Sequence, residues 1–181
     1  MDVPPVRTER LELLAFTPDV IEALLAHESV AAAALLGASV PDGWPDRHDE
    51  RFLRLRLGQV RAHSDLQEWS VRGVVLAEDR ALVGHIGFHG PPGVNALRRP
   101  RGVEVGYSIF PAFRRRGIAT EAVRGLIDWA HDERGIHEFV ASVSPVNDAS
   151  LAVVAKLGFE HVGEHWDEED GLEHEFLLEL R

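Results

Sequence analysis

Glu104-Val105-Gly106-Tyr107-Ser108-Ile109-Phe110-Pro111-Ala112-Phe113-Arg114-Arg115-Arg116-Gly117-Ile118-Ala119-Thr120-Glu121-Ala122 reads as a strand stopped by a proline, three arginines, and a glycine that opens a helix. Downstream, Ala119, Ala122, Val123, Leu126, Ile127 and Ala130 recur at helical spacing, so the helix runs to about Arg134. The first N–H groups of a helix have no partner within it, and the helix dipole makes that end attractive to anions. A glycine-containing turn aims those donors at phosphate oxygens. Small residues at 117 and 119 let the backbone approach a diphosphate, and the arginines make the mouth locally positive. Arg114, Arg115, Arg116, Gly117, Ile118, Ala119 and Thr120 are therefore expected to hold an anionic ligand. The spacing matches neither G-x-x-x-x-G-K-[ST] nor G-x-G-x-x-G.

Upstream of this stretch, Arg10 to Phe16 reads as a strand, and Thr17-Pro18-Asp19 starts a helix that is expected to run to Leu36. Gly37 to Pro45 is a loop, and Asp46 to about His63 a second helix with Leu53, Leu57 and Val60 on its apolar side. Trp69 to Ala77, Ala81 to His89 and Val103 to Phe110 form a meander of three strands. Downstream of the long helix come a strand at Ile136 to Val143 and a helix from Asn147 to Leu157. Strands at Phe159 to Trp166 and Leu172 to Leu180 follow, joined by an acidic turn at Asp167 to Gly171. Because a helix joins the strands at 103 and 136, those two are expected to be parallel in an otherwise antiparallel sheet. The fold class is α/β (α+β): one domain over residues 1–181, with about seven strands and about four helices.

The 181 residues fit the roughly 150 expected per domain. An apolar content of 45% against 27% charged supports a folded core. Without cysteine the chain has no disulfide, no zinc–thiolate site and no thiolate nucleophile. A formal charge of −11 disfavours nucleic acid and anionic membranes as partners and suits a cationic one. Residues 1–5 carry no basic, then apolar, leader, and no run reaches the ~20 apolar residues of a membrane span, so the reading is cytoplasmic.

Arg114-x-x-Gly117-x-Ala119 resembles the acetyl-CoA signature of the GNAT superfamily of N-acetyltransferases. Asn147-x-x-Ser150 leading to Lys156-Leu157-Gly158-Phe159 resembles its second block, an Asn opening a helix that ends in K-x-G-F. Thr8 to Leu13, Glu104 to Tyr107 and Ile118 to Ala122 are similar to the branch that acetylates ribosomal-protein N-termini. The resemblance implies direct attack of a primary amine on the acetyl-CoA thioester. The acceptor would be a protein N-terminus or a small cationic amine.

It also implies roles. Glu104 would be the base that takes the amine proton, against the alternatives of a solvated strand glutamate or a salt bridge to Arg98, Arg99 or Arg101. Main-chain groups at about Ile109 and Phe110 would receive the pantetheine arm. A tyrosine common seven residues after the helix-opening Asn is replaced by Val154, so the usual acid for the leaving thiolate is absent, and Ser150 is a candidate donor. Asn147 would contact cofactor or cap its helix, and Ser150 would equally suit a first helical turn. Trp44 is a candidate wall of the acceptor site or a core plug, and His85 or His89 would line the acceptor groove. His85 and His89, like His161 and His165, stand ~13 Å apart if on strands, so no metal is expected. A non-catalytic acyl-CoA sensor is the competing reading, and a homodimer is compatible with the exposed strand edges.

Overall fold

The computed structural model describes residues 3–168 and 171–181. Its elements are β1 (Val6–Arg7), β2 (Leu11–Ala15), α1 (Pro18–Leu25), α2 (Ser29–Leu36), α3 (Arg47–Ala62), β3 (Arg72–Leu76), β4 (Leu82–Phe88) and β5 (Val103–Ile109). After these come α4 (Ile118–Arg134), β6 (Glu138–Val143), α5 (Asp148–Leu157), β7 (Glu160–Asp167) and β8 (Gly171–Glu179). The strands form one sheet in the order β1-β2-β3-β4-β5-β6-β8-β7. Every neighbouring pair is antiparallel except β5 and β6, which run parallel as their helical connection requires.

Both faces of the sheet are covered, so its central strands are largely apolar on both sides rather than alternating, and β4 is buried along its whole length; the buried polar exceptions on these strands include Arg72, His85 and Glu104. On one face Ile86, Phe88, Val105 and Ile109 pack with Leu126 and Ile127 of α4 and Val154 of α5. On the other, Val75 and Leu82 pack with Ile21, Leu24, Leu36, Leu53 and Leu57 from α1, α2 and α3. The α4 stripe is buried from Ile118 to Ala130, and the helix stops at Gly135, whose φ of 65° is left-handed.

The feature that makes a site is the end of pairing between β5 and β6. Their register covers Val103 with Phe139 and Glu104 with Val140, while β5 continues to Ile109. Beyond Glu104 the two strands part. On its other side β5 stays paired with β4 as far as Gly84 and Ile109. A Cβ on Gly84 would lie 2.2 Å from the Ser108 carbonyl oxygen, so this glycine permits the close pairing that holds the free half of β5 straight. Gly84→Ala is expected to cost about 1–3 kcal/mol through overpacking, read as a lower urea midpoint at unchanged slope.

Three local expectations change. The helix expected over 18–36 breaks into α1 and α2 at His27, whose φ of 56° is left-handed, and the turn lets Ala32 and Leu36 pack against α1. Trp69 ends a 3-10 segment, Ser64–Trp69, instead of opening a strand, and packs on Phe88 and Trp129. The two-residue β1 is an eighth strand, too short to show any alternation. Part of the expected acidic turn, Glu169 and Asp170, lies outside the described residues.

Candidate active site

Gly117 sits at the N-cap of α4 with φ of 78° and supplies no side-chain cap. The first helical bond there is Glu121 N–H to the Gly117 carbonyl, so the earlier N–H groups of the helix are left free. They open into a cavity of about 620 Å³ lined by Tyr107, Ser108, Ile109, Arg114, Arg115, Gly117, Ile118, Ala119, Thr120, Asn147, Ser150 and Lys156, among others. Arg114 is fixed by donating from Nε to the Ile109 carbonyl at 2.8 Å. The N-terminal strand braces the turn from outside. Glu121 accepts from Thr8 Oγ1 at 2.6 Å, from the Arg10 N–H at 2.8 Å and from Arg10 Nε at 2.7 Å, and Arg10 Nη1 donates to the Arg116 carbonyl. Burial opposes ionisation of Glu121, but these donors outweigh it and hold the carboxyl below its ordinary value. The two stretches Thr8 to Leu13 and Ile118 to Ala122, far apart in sequence, thus meet at the turn.

Along β5 the hydrogen-bonding direction alternates. Phe110 N–H donates to the Val83 carbonyl and His89 N–H to the Glu104 carbonyl, so the even-numbered residues bond toward β4. The main-chain groups that face the gap beside β6 therefore belong to Tyr107 and Ile109. Phe110, expected to serve the ligand through its backbone, is committed to β4, and its ring packs 5.3 Å from that of Trp44 on the opposite face. Arg116 likewise lies off the cavity, its guanidinium over the Phe113 ring. Asn147 both lines the cavity and caps α5, accepting the Ser150 N–H at 3.1 Å.

A residue that the sequence reading passed over stands at the centre. The Tyr107 hydroxyl is buried and has no hydrogen-bond partner among the described residues. Burial raises its pKa, and Ser150 beside it pulls the other way. The signal was available, since Tyr107 is the only tyrosine in the chain, but nothing along the sequence places it against Ser150.

A second cavity, of about 170 Å³, lies on the α3 side of the sheet and shares Tyr107 and Ser108 with the first. Asp49, Phe52, Arg56, His85, His89 and Gly106 are among the residues that line it. Glu104 is buried beside it. Its carboxylate accepts from the Ala96 N–H at 2.6 Å and Ser142 Oγ at 2.8 Å, and pairs with His89 Nδ1 at 3.4 Å. It makes none of the anticipated arginine bridges; Arg99 pairs with Glu138 instead. The His89 ring is half exposed and lies over Gly106, where a Cβ would stand 2.8 Å from Nε2. Desolvation lowers the His89 pKa while the Glu104 charge works to raise it.

His85 Nε2 meets Asp49 Oδ1 at 3.1 Å, and Trp44 Nε1 donates to Asp49 Oδ2 at 2.8 Å. Burial would raise the Asp49 pKa, but these partners outweigh it and keep the carboxyl below its ordinary range. Trp44 stacks on His85 and touches Phe16 and Phe110, so it supports the cavity wall from behind. Away from the site, His161, Glu164 and His174 bring ligand atoms within 4.8 Å of one another across β7 and β8, a grouping invisible to spacing along one strand. Among the described residues no helix is long and apolar enough to cross a membrane.

An acetyltransferase (GNAT) domain model matches residues 10–160. A Bacillus subtilis protein named "Probable N-acetyltransferase YjcK" is 41% identical over 114 residues, covering 61% of this chain and 59% of the relative. "Uncharacterized N-acetyltransferase YnaD" of the same organism is 28% identical over 105 residues, covering 52% and 58%. The chain thus spans about three fifths of each of these two relatives. Among solved structures, the RimL ribosomal L7/L12 α-N-protein acetyltransferase in complex with coenzyme A superposes with a TM-score of 0.66 at 16% identity over 98% of both chains, a likeness of fold. The splayed parallel pair, the open helix N-terminus beside it and a family model spanning most of the sequence lead to one assignment: this chain belongs to the GNAT acetyltransferase family.

Proposed function

We propose that the protein transfers an acetyl group from acetyl-CoA to a primary amine, and that the amine enters through the α3-side cavity. The observation that carries this reading is the junction of the two cavities at Tyr107 and Ser108. The larger one fits an acetyl-CoA co-substrate: free N–H groups and Arg114 and Arg115 for the diphosphate, and, for the arm, the main-chain groups of Tyr107 and the N–H of Ile109, whose carbonyl is taken by Arg114.

In the reaction the amine nitrogen bonds to the acetyl carbon as the carbon–sulfur bond breaks. The ammonium proton passes to His89 Nε2, whose Nδ1 side faces Glu104, so the base expected at Glu104 acts through His89. The departing thiolate takes a proton from the Tyr107 hydroxyl, which Ser150 adjoins and which stands in for the tyrosine absent at Val154, and the second proton, shed by the nitrogen as the amide forms, returns to the tyrosinate.

Because a thiolate leaves readily, Tyr107→Phe and Ser150→Ala are each expected to lower kcat by only about tenfold or less, well below the 10²–10⁴ typical of general acid–base groups. Steady-state CoA release would show it, and full turnover in both would remove the donor role. The function itself is tested by CoA release over a panel of peptides and small amines. Tight CoA binding with no release from any of them would overturn it in favour of a sensor.

A further inference from the structure

Arg56 is the arginine among the residues that line the α3-side cavity, and the mechanism leaves it unused. It is 7% exposed, and its Nη1 donates to the His89 carbonyl at 2.9 Å and to Gln59 Oε1 at 3.2 Å. Its guanidinium carbon lies 5.0 Å from the centre of the Phe52 ring, which orients the plane. Its Nε is buried with no hydrogen-bond partner, and no carboxylate stands within ion-pair distance among the described residues. The carboxylates nearby are engaged elsewhere: Asp49 with His85 and Trp44, Glu104 with Ala96, Ser142 and His89.

A buried guanidinium is costly without a counter-ion, and a fixed one with a free Nε edge suits a carboxylate that binds through two parallel hydrogen bonds. Burial also lowers the Arg56 pKa, the mark of a cation that lacks compensation. Arg72 is buried to this degree too and its Nε is likewise unpartnered, but it donates to the Pro4 and Glu68 carbonyls, stacks on Trp129 and lines neither cavity, so position is what separates Arg56 from it.

We infer that the acceptor is a primary amine that also carries a carboxylate, and that Arg56 binds that carboxylate while the amine points at the junction beside Tyr107 and Ser108. This rests on the acetyltransferase reading and narrows its substrate class. Arg56 is anchored at His89, whose ring covers Gly106, and Gly106 is one and two residues from Tyr107 and Ser108. The anion and the reacting nitrogen are therefore on the order of 5–10 Å apart at ~3.3 Å per strand residue, about the span of a dipeptide. The overall charge of −11 argued for a cationic partner; the cavity assigns the acceptor an anion as well.

The experiment compares matched pairs by CoA release. One arm sets dipeptides against their C-terminal amides, which removes the carboxylate with little change at the amine. A second arm uses C-terminally amidated peptides with Asp or Glu against Asn or Gln at the second position, so that a small amino-acid-like acceptor and an acidic protein N-terminus are told apart. The expected result is a kcat/KM at least tenfold higher for the carboxylate member in one arm, carried mainly by KM, with Arg56→Met reducing that ratio to near one and Arg56→Lys leaving part of it. Equal rates within the pairs of both arms for the wild-type chain would overturn the inference while leaving the acetyltransferase intact, as would a ratio that survives Arg56→Met. No release from any member would overturn the acetyltransferase reading itself.

Discussion

Gly117→Glu is expected to abolish the rise in melting temperature that acetyl-CoA gives the wild-type chain. A ligand present at a hundred times its Kd stabilises the folded state by about 2.7 kcal/mol. For a domain of this size each kcal/mol moves the midpoint by roughly 2–4 °C, so the wild-type shift should be about 5–10 °C. The substitution acts in two ways. At φ of 78° any side chain strains the left-handed turn that aims the first N–H groups of α4 at the cavity. A Cβ there would lie 3.4 Å from Arg10 Nη2, and a carboxylate built on it adds negative charge at the helix start, where it competes with the diphosphate for the local positive field. Gly117→Ala separates the two, since it adds strain and no charge, and should retain a reduced shift. A full shift in the Glu variant would place the cofactor elsewhere on the molecule.

What could be read along the chain follows from the range of the interactions involved. The helix α4, its glycine start and the parallel relation of β5 and β6 are set by periodicity and connection, which neighbours in sequence carry. The break at His27 was not legible, because Ser29–Leu36 is alanine-rich and helical in propensity whichever way it points; packing of Ala32 and Leu36 decides its direction. The site divides in the same way. Arg114, Arg115, Gly117 and Asn147, which the sequence groups and which line one cavity, could be grouped because a helix N-terminus is a local structure. Phe110 and Arg116 lie off that cavity by one step of strand or loop direction, which only the hydrogen bond to Val83 and the contact with Phe113 fix. Tyr107, Arg56 and Asp49 owe their interest to partners on other elements, Ser150, His89 and His85, and no spacing rule joins α3 to β4 or β5 to α5.

His89→Gln is expected to lower kcat by about 10²–10⁴, the range for loss of a general base, while the acetyl-CoA melting shift persists because His89 lies off the cofactor cavity. Glu104→Gln should cost less, since the carboxylate is enclosed by Ala96, Ser142 and His89 and acts on the amine through the imidazole. The two variants differ most in their pH dependence. A base works unprotonated, so the wild-type kcat/KM should fall as pH drops through the His89 pKa, which desolvation places below the ordinary histidine value. The Glu104 charge pulls that pKa upward by stabilising the imidazolium. Its removal should therefore carry the acidic limb to lower pH even as the plateau falls, whereas His89→Gln should erase the limb. A limb that stays in place in Glu104→Gln would reduce Glu104 to a brace for the loop at Ala96. A limb that survives His89→Gln would move the proton acceptor to one of the two further imidazoles that line the cavity, His48 or His85, of which Asp49 holds the second at 3.1 Å.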